Sequence, residues 1–283
     1  PDAWIVDFTN PVGILTRALL DAGHRAVGLC NVAIGLQRFV AGILDLAPDR
    51  VLVDQVGLNH LTWVRRVLVD GNDVRPRLLV EHGDRLAAHV DLPRRLLDEL
   101  GAIPSYYLRY FYAHDAVLAE QRVTTPRATV VAKLEARLLD LYRDSELAEK
   151  PALLEQRGGA FYSEAATALL ASLSADTGDV QVVDVRNHGV VAGLADDDVV
   201  ELPARIGRTG PVPLPQEPLA PELLGLVQHV AAYERLAVRA AVSRDPVVAR
   251  KALLTHPLIG QDEPAGALLD ALLAEPGPIG AAV

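Results

Sequence analysis

The chain has 283 residues, half of them apolar and 23% charged, and its formal net charge is −10 at pH 7. This acidic balance argues against a nucleic-acid-binding surface, which needs clustered lysine and arginine, and no stretch reaches the ~18 uninterrupted apolar residues of a membrane helix. The single cysteine excludes an internal disulfide framework and is typical of a protein in the reducing cytosol.

The first part of the chain alternates strands and helices. Buried strands are predicted at residues 3–8 and 26–29, and helices at residues 14–22 and 32–44. Thr9 and Asn10 are candidates for the N-cap of the first helix, with Pro11 at its first position. The alternation predicts a parallel sheet with right-handed crossovers, without a Gly-rich dinucleotide fingerprint. Because the chain opens directly in a strand-like run and contains no methionine, we expect it to be a piece of a longer protein.

The remaining elements continue an α/β pattern. Further strands are predicted at residues 51–56, 61–69, 180–185 and 199–202. Further helices are predicted at residues 77–89, 93–100, 127–144, 163–173, 221–241, 246–255 and 263–273. Residues 210–221 contain five prolines and are expected to form a rigid, extended connection.

Cys30 and Asn31 are predicted at the carboxyl end of a strand, where a helix begins. In open α/β sheets ligands bind in the crevice at this edge, and a helix start favours anions. A lone cysteine is more often a small buried hydrophobic residue than a ligand. The position of Cys30 nevertheless makes it a candidate functional residue.

Cys30 and His60 form a candidate metal pair, because each is predicted at a strand end that could face the same crevice. Their spacing of thirty positions is not a local metal signature. A thiolate and an imidazole suit a borderline transition metal, and two protein ligands would leave positions open for substrate and water. The alternative is that His60 is a hydrogen-bonded structural histidine.

Residues 103–112 contain four of the seven tyrosines of the chain. The simplest interpretation is a packed aromatic cluster. Alternatively, a nearby metal and a guanidinium such as Arg109 or Arg127 would favour a phenolate, which could remove a proton from a carbon acidified by a carbonyl. Asn10, Asn31 and Arg127 offer donors for a phosphate or for sugar hydroxyls, although Arg127 could equally be an ordinary solvated arginine.

Seven short motifs occur together along the chain. They are Thr-Asn-Pro at 9–11, Gly-Leu-Cys-Asn at 28–31, Gly-Leu-Asn-His at 57–60, Ile-Pro-Ser-Tyr-Tyr-Leu-Arg-Tyr at 103–110, Arg-Gly-Gly-Ala-Phe-Tyr-Ser at 157–163, Asn-His-Gly at 187–189 and His-Pro-Leu at 256–258. In this order they resemble glycoside hydrolase family 4, and most of all its 6-phospho-β-glucosidase members. The resemblance covers nearly the whole chain, and the combination is specific although each motif alone is weak.

The resemblance implies NAD-dependent hydrolysis of 6-phospho-β-glucosides with a divalent metal, Mn²⁺ being the expected ion. The sugar is oxidised at C3, deprotonated at C2 and loses its aglycone from C1, after which water adds and the hydride returns. Carried over to this sequence, Cys30 and His60 are metal ligands and Tyr107 is the base, with Tyr106 as the competing assignment. Asn10, Asn31 and Arg127 would contact the phosphorylated sugar.

The family pattern also implies an organisation for the chain. Residues 1–55 would be the tail of a Rossmann-like NAD-binding sheet, and residues 56–283 a larger α/β (α+β) catalytic domain. Most NAD contacts would lie upstream of Pro1, and the protein would be a cytoplasmic homodimer or homotetramer. Two alternatives remain at this point: a metal-free hydroxy-acid dehydrogenase of the lactate/malate type, and a non-catalytic remnant that serves only in assembly.

Overall fold

The computed structural model describes residues 3–158 and 161–274. Its strands are β1 Ile5–Asp7, β2 Ala26–Gly28, β3 Val51–Leu58, β4 Leu61–Val69, β5 Asn72–Asp73, β6 Ile103–Pro104, β7 Val180–Arg186, β8 Val199–Gly207 and β9 Gly210–Pro213. Its helices are α1 Val12–Asp21, α2 Asn31–Leu44, α3 Arg75–Val90, α4 Arg94–Leu100, α5 Arg109–Tyr112, α6 His114–Val123, α7 Arg127–Leu141, α8 Leu154–Arg157, α9 Tyr162–Ala175, α10 Pro221–Ser243, α11 Pro246–Thr255 and α12 Asp262–Ala274. Two short 3₁₀ turns, Pro48–Arg50 and Tyr106–Leu108, complete the described elements.

The described strands form one nine-stranded sheet in the order β1-β2-β7-β8-β3-β4-β5, with β6 paired to β4 and β9 to β8. Strands β1 and β2 are parallel, joined by the crossover helix α1. All the other pairs are antiparallel. The α/β prediction is confirmed, whereas the prediction of a parallel sheet is wrong beyond the first pair. The reason is local, because the two residues between β3 and β4 leave room only for a hairpin.

Two apolar clusters hold the helices against this sheet. One joins α9 and α10 to β7 and β8, through buried residues such as Leu169, Val227 and Leu202. The other joins α2, α3 and α4 to β3 and β4, through residues such as Val40 and Leu86. Spacings of three and four residues put these apolar side chains on one face of each helix, so burial rather than propensity fixes the helix positions.

Most predicted elements are present with small shifts at their ends, and several details differ. Helix α1 begins at Val12, so Pro11 is its N-cap, and neither Thr9 nor Asn10 caps it. Helices α5, α6 and α8 and strands β5 and β6 were not predicted, and the proline-rich run at 210–221 begins as strand β9 instead of being a connection throughout. Gly159 and Ala160 of the motif at 157–163 lie outside the described residues. Among the described helices, none has both the length and the hydropathy to cross a membrane.

Candidate active site

Cys30 follows strand β2 and is the N-cap residue of α2, as the sequence predicts. Its side chain is almost completely buried, with 2% of its surface exposed. The strand can approach its neighbour closely because Gly28 has no side chain. A Cβ atom at that position would lie 2.7 Å from the Cβ atom of Asp184 on β7. Cys30 therefore lies at the carboxyl end of an interior strand, where the buried carboxyl groups of Glu201 and Asp184 act on it electrostatically.

His60 lies on the two-residue turn between β3 and β4, where it adopts a left-handed conformation with a φ angle of 65°. Burial lowers the pKa of His60 to about 4. The imidazole is therefore neutral near pH 7, which is the form that binds a metal ion.

The aromatic segment reaches His60 because short strand β6 pairs with β4 beside the turn. Trp63 pairs with Pro104, and the N–H of Ser105 donates to the carbonyl oxygen of Thr62 at 2.8 Å. The chain then turns through the 3₁₀ segment, and the ring of Tyr107 stacks on the imidazole of His60 with 3.8 Å between centroids. Two residues 47 positions apart thus become direct neighbours.

Tyr106 and Tyr107 have different neighbours. The hydroxyl of Tyr106 accepts a hydrogen bond from Arg109 at 2.8 Å, whereas Tyr107 faces His60. The spacing of three residues directs the guanidinium of Arg109 to Tyr106, and Arg109 is not among the groups that act on the pKa of Tyr107. Burial, together with negative charge at Cys30, raises the pKa of Tyr107.

Tyr162, at the start of α9, joins both asparagines to the site. Its hydroxyl accepts hydrogen bonds from the Asn10 side chain and from the backbone N–H of Asn31. Burial raises the pKa of Tyr162, and negative charge at Cys30 raises it further. The structure therefore brings Asn10, Asn31 and Cys30 together around Tyr162, a tyrosine of the motif at 157–163 for which no role was predicted.

Two polar groups favour the thiolate of Cys30. The backbone N–H of Val32 and the side-chain amide of Asn59 both donate hydrogen bonds to its sulfur. Burial and the carboxyl group of Glu201 act in the opposite direction, and together they raise the pKa of Cys30 above its usual range. A cation beside the sulfur would lower this pKa again, because it would stabilise the thiolate, which is the form that binds metal.

Fully buried carboxyl groups lie beneath the site. Glu201 on β8 accepts hydrogen bonds from Gln55 and, at 2.8 Å, from Asn59. Asp184 pairs with Glu201 across the β7–β8 ladder, and neither of its carboxyl oxygens has a hydrogen-bond partner within the described ranges. Burial raises the pKa of both groups. Neither residue was predicted to belong to the site, although a charged residue inside each apolar run was a visible signal.

Arg127 lies at the start of α7 and is exposed. Its guanidinium donates to the carbonyl oxygens of Gln156 and Arg157, at 2.8 and 3.0 Å. Within residues 3–158 and 161–274, no hydrogen bond of Arg127 reaches Cys30 or its neighbours. The structure therefore groups five of the six predicted site residues and does not join Arg127 to them.

The donor set around Cys30 fits a borderline divalent metal. A thiol and a neutral imidazole converge here, both being ligands that such ions accept. In the part of the chain that the structure describes, no group of three or more histidine, cysteine, aspartate or glutamate side chains could hold an ion. Cys30 and His60 would therefore act as a two-residue site with open positions, an arrangement suited to substrate binding and not to a closed structural centre.

Two family models and several relatives of known function match most of this chain. The family model for the "Family 4 glycosyl hydrolase C-terminal domain" matches residues 55–259, and the "Family 4 glycosyl hydrolase" model matches residues 1–46. A probable 6-phospho-beta-glucosidase of Bacillus subtilis is 38% identical over 96% of this chain and 65% of its own length. A 6-phospho-beta-glucosidase of Escherichia coli is 34% identical over 94% of this chain and 62% of its own length.

A solved structure supports the same relationship. The 6-phospho-beta glucosidase of Thermotoga maritima with manganese, NAD⁺ and glucose-6-phosphate superposes with a TM-score of 0.86 at 33% identity. The match covers 96% of this chain and 65% of that one. The chain thus spans a little less than two thirds of the length of these relatives.

Proposed function

Because the chain belongs to glycoside hydrolase family 4, we propose that it hydrolyses 6-phospho-β-glucosides with NAD⁺ and a divalent cation, Mn²⁺ being the expected ion. The observation that carries this proposal is the convergence of Cys30, His60 and Tyr107 from three separate segments. The substrate class is supported by relatives named as 6-phospho-beta-glucosidases at 34–38% identity. The cofactors are supported by the Thermotoga maritima structure, which holds NAD⁺ and manganese.

In this proposal Cys30 and His60 hold the cation. Bound NAD⁺ supplies reversible hydride transfer at sugar C3, and the cation supplies Lewis-acid polarisation of the sugar oxygens. The residues of this chain position the sugar and move its proton. Neutral His60 is ready to act as a ligand without losing a proton, whereas Cys30 must lose one.

Tyr107 removes the proton from C2 once oxidation at C3 has made that proton acidic. The electron pair left at C2 then expels the aglycone from C1, after which water adds its hydroxyl group to C1 and a proton returns to C2. The partial exposure of Tyr107, 37% of its surface, lets its hydroxyl meet a substrate. Stacking on His60 holds the ring beside the cation ligands.

Asn10, Asn31 and Arg127 are proposed to contact the phosphorylated sugar. Asn10 and Asn31 lie within the Tyr162 cluster, so a sugar hydroxyl could share or replace the tyrosine as their partner. Arg127 offers the planar, permanently charged group that pairs well with phosphate.

We further propose that residues 1–55 belong to the nucleotide-binding domain and residues 56–283 to the catalytic domain, although the β2–β7 pair joins both in one sheet. A homodimer or homotetramer stays a prediction.

The test is hydrolysis of a chromogenic 6-phospho-β-glucoside with NAD⁺ and Mn²⁺ added singly and together. We expect product release only when both are present, and little release from the unphosphorylated glucoside. Hydrolysis that survives removal of NAD⁺ and chelation of metal would refute the proposal. Metal-independent oxidation of a hydroxy acid would instead support a lactate/malate-type dehydrogenase.

A further inference from the structure

The side-chain amide of Asn59 lies between the sulfur of Cys30 and the carboxylate of Glu201. Its nitrogen is 2.8 Å from Glu201 Oε2, and it also donates a hydrogen bond to the sulfur. An asparagine NH₂ group has two hydrogens, so one group can serve both acceptors at once. Asn59 therefore fixes the sulfur relative to a buried anchor.

The anchor itself is held firmly. Glu201 is 1% exposed, and its second carboxyl oxygen accepts a hydrogen bond from Gln55. Glu201 lies on β8 opposite Gly57 of β3, and Gly57 precedes Asn59 by two residues in the chain. Because both strands are central in the sheet, the carboxylate has little freedom to follow a displaced amide.

The backbone of Asn59 is also held by packing. A Cβ atom added to Gly13 of α1 would lie 3.2 Å from Asn59 Cβ, so the helix approaches this turn closely. The next residue in the chain is His60. Asn59 thus contacts one candidate metal ligand through its amide and is covalently joined to the other.

We infer that Asn59, anchored by Glu201, is a positioning residue that orients the Cys30 sulfur for cation binding. The inference rests on the proposed function. The amide nitrogen carries hydrogens toward both acceptors and has no free lone pair for a metal, so through this group Asn59 acts on the cation by way of Cys30. Hydrogen bonds to ligand atoms commonly contribute 10–100-fold in metal affinity.

The test is the affinity of the wild-type protein, Asn59→Ala and Gln55→Ala for Mn²⁺, measured by isothermal titration calorimetry without NAD⁺ or substrate. We expect Asn59→Ala to weaken Mn²⁺ binding by about 10–100-fold. Gln55→Ala is the matched control, because Gln55 also donates to Glu201 but is not among the groups that hydrogen-bond the Cys30 sulfur. Its affinity should fall much less than that of Asn59→Ala, because Glu201 keeps its hydrogen bond with Asn59.

A second readout follows the sulfur directly. In the Co²⁺-loaded protein, the absorption band from thiolate-to-metal charge transfer should shift or weaken in Asn59→Ala and not in Gln55→Ala. If the alanine variant does not fold, Asn59→Ser keeps one hydroxyl donor, and we expect it to show a smaller change in the same direction.

The outcomes separate the two proposals. Wild-type protein that binds neither Mn²⁺ nor Co²⁺ would overturn the metal centre, and this inference with it. Wild-type binding with unchanged affinity and spectrum in Asn59→Ala would overturn only the role of Asn59. Equal losses in Asn59→Ala and Gln55→Ala would also overturn it, since they would show a general disturbance of Glu201.

Discussion

The phenol ring of Tyr107 lies against the imidazole ring of His60, with 3.8 Å between centroids and 22° between planes. His60 comes from the hairpin turn between β3 and β4, and Tyr107 from the 3₁₀ turn after β6. The pairing of β6 with β4 fixes the distance between these segments. A candidate base and a candidate metal ligand are therefore held by the sheet, and a flexible loop is not needed to bring them together.

The first prediction concerns the adjacent tyrosines. If Tyr107 removes the C2 proton, Tyr107→Phe should lower kcat by about 10²–10⁴, the range for loss of a general base. Stability should change little, because the ring still stacks on His60. Tyr106→Phe is the matched control and should lose only its hydrogen bond with Arg109.

Solvent deuterium exchange at C2 of the sugar phosphate, with NAD⁺ and Mn²⁺ present, tests the assignment. Exchange should vanish in Tyr107→Phe and persist in Tyr106→Phe. The reverse pattern would move the role to Tyr106. Normal exchange in both variants would show that neither tyrosine removes the C2 proton and that the aromatic segment serves only in packing.

The second prediction concerns the sulfur. Cys30→Ser should abolish activity that depends on Mn²⁺, because a serine hydroxyl is a poor ligand for such ions. The fold should tolerate the change, since the oxygen can still accept from Val32 and Asn59. Thermal unfolding with and without Mn²⁺ checks both points, because an ion that binds only the native state must raise Tm. We expect a Tm increase in the wild type and none in Cys30→Ser, and activity of the variant across a Mn²⁺ titration would contradict the ligand assignment.

The sequence predicted local structure better than strand pairing. Periodicity located α2 and α10 closely because their apolar faces are long. It could not predict that β2 pairs with β7, since Gly28 and Asp184 are more than 150 positions apart and a single pair of residues defines the contact. The parallel sheet was inferred from the first two strands, and the hairpin turn at Asn59 and His60 was the overlooked signal against it.

The candidate site was predictable where chemistry is visible in the residue itself. The lone cysteine and a histidine at a strand end could be found in this way. Tyr107 could not be distinguished from Tyr106, because the choice depends on a 3₁₀ turn and on the position of Arg109. Asn59 and Glu201 have ordinary side chains, and only the fold shows that one amide connects the sulfur with a buried carboxylate.

The third prediction is a pH dependence of stability caused by Glu234 on α10. Burial raises its pKa from 4.5 to about 8. Between these values the unfolded chain loses the proton while the folded protein retains it, so the free energy of unfolding falls as pH rises. The contribution is fully present below the unfolded pKa and is lost above about pH 8.

Glu234→Gln removes this titration, so its Tm should fall less than that of the wild type between about pH 5 and pH 9. Glu222→Gln, at an exposed position of the same helix, is the control and should follow the wild type. Differential scanning calorimetry across the pH range measures both. Parallel Tm curves for Glu234→Gln and wild type would show that Glu234 is already ionised in the folded protein.

The last prediction concerns Arg127. Among the described residues, its hydrogen bonds go to the carbonyl groups of Gln156 and Arg157 and not to Cys30 or its neighbours. If its guanidinium binds the substrate phosphate, Arg127→Ala should remove a charged hydrogen bond of about 1.5–3 kcal/mol, which corresponds to roughly 10–100-fold in kcat/KM. The loss should appear mainly in KM and should be smaller for an unphosphorylated glucoside. Arg157→Ala is the neighbouring control, because Arg157 pairs with Glu135 at 2.6 Å. Steady-state kinetics on both glucosides measure this role. Unchanged kinetics with a lowered Tm would mean that Arg127 only stabilises the fold, through its hydrogen bonds to the carbonyl groups of Gln156 and Arg157.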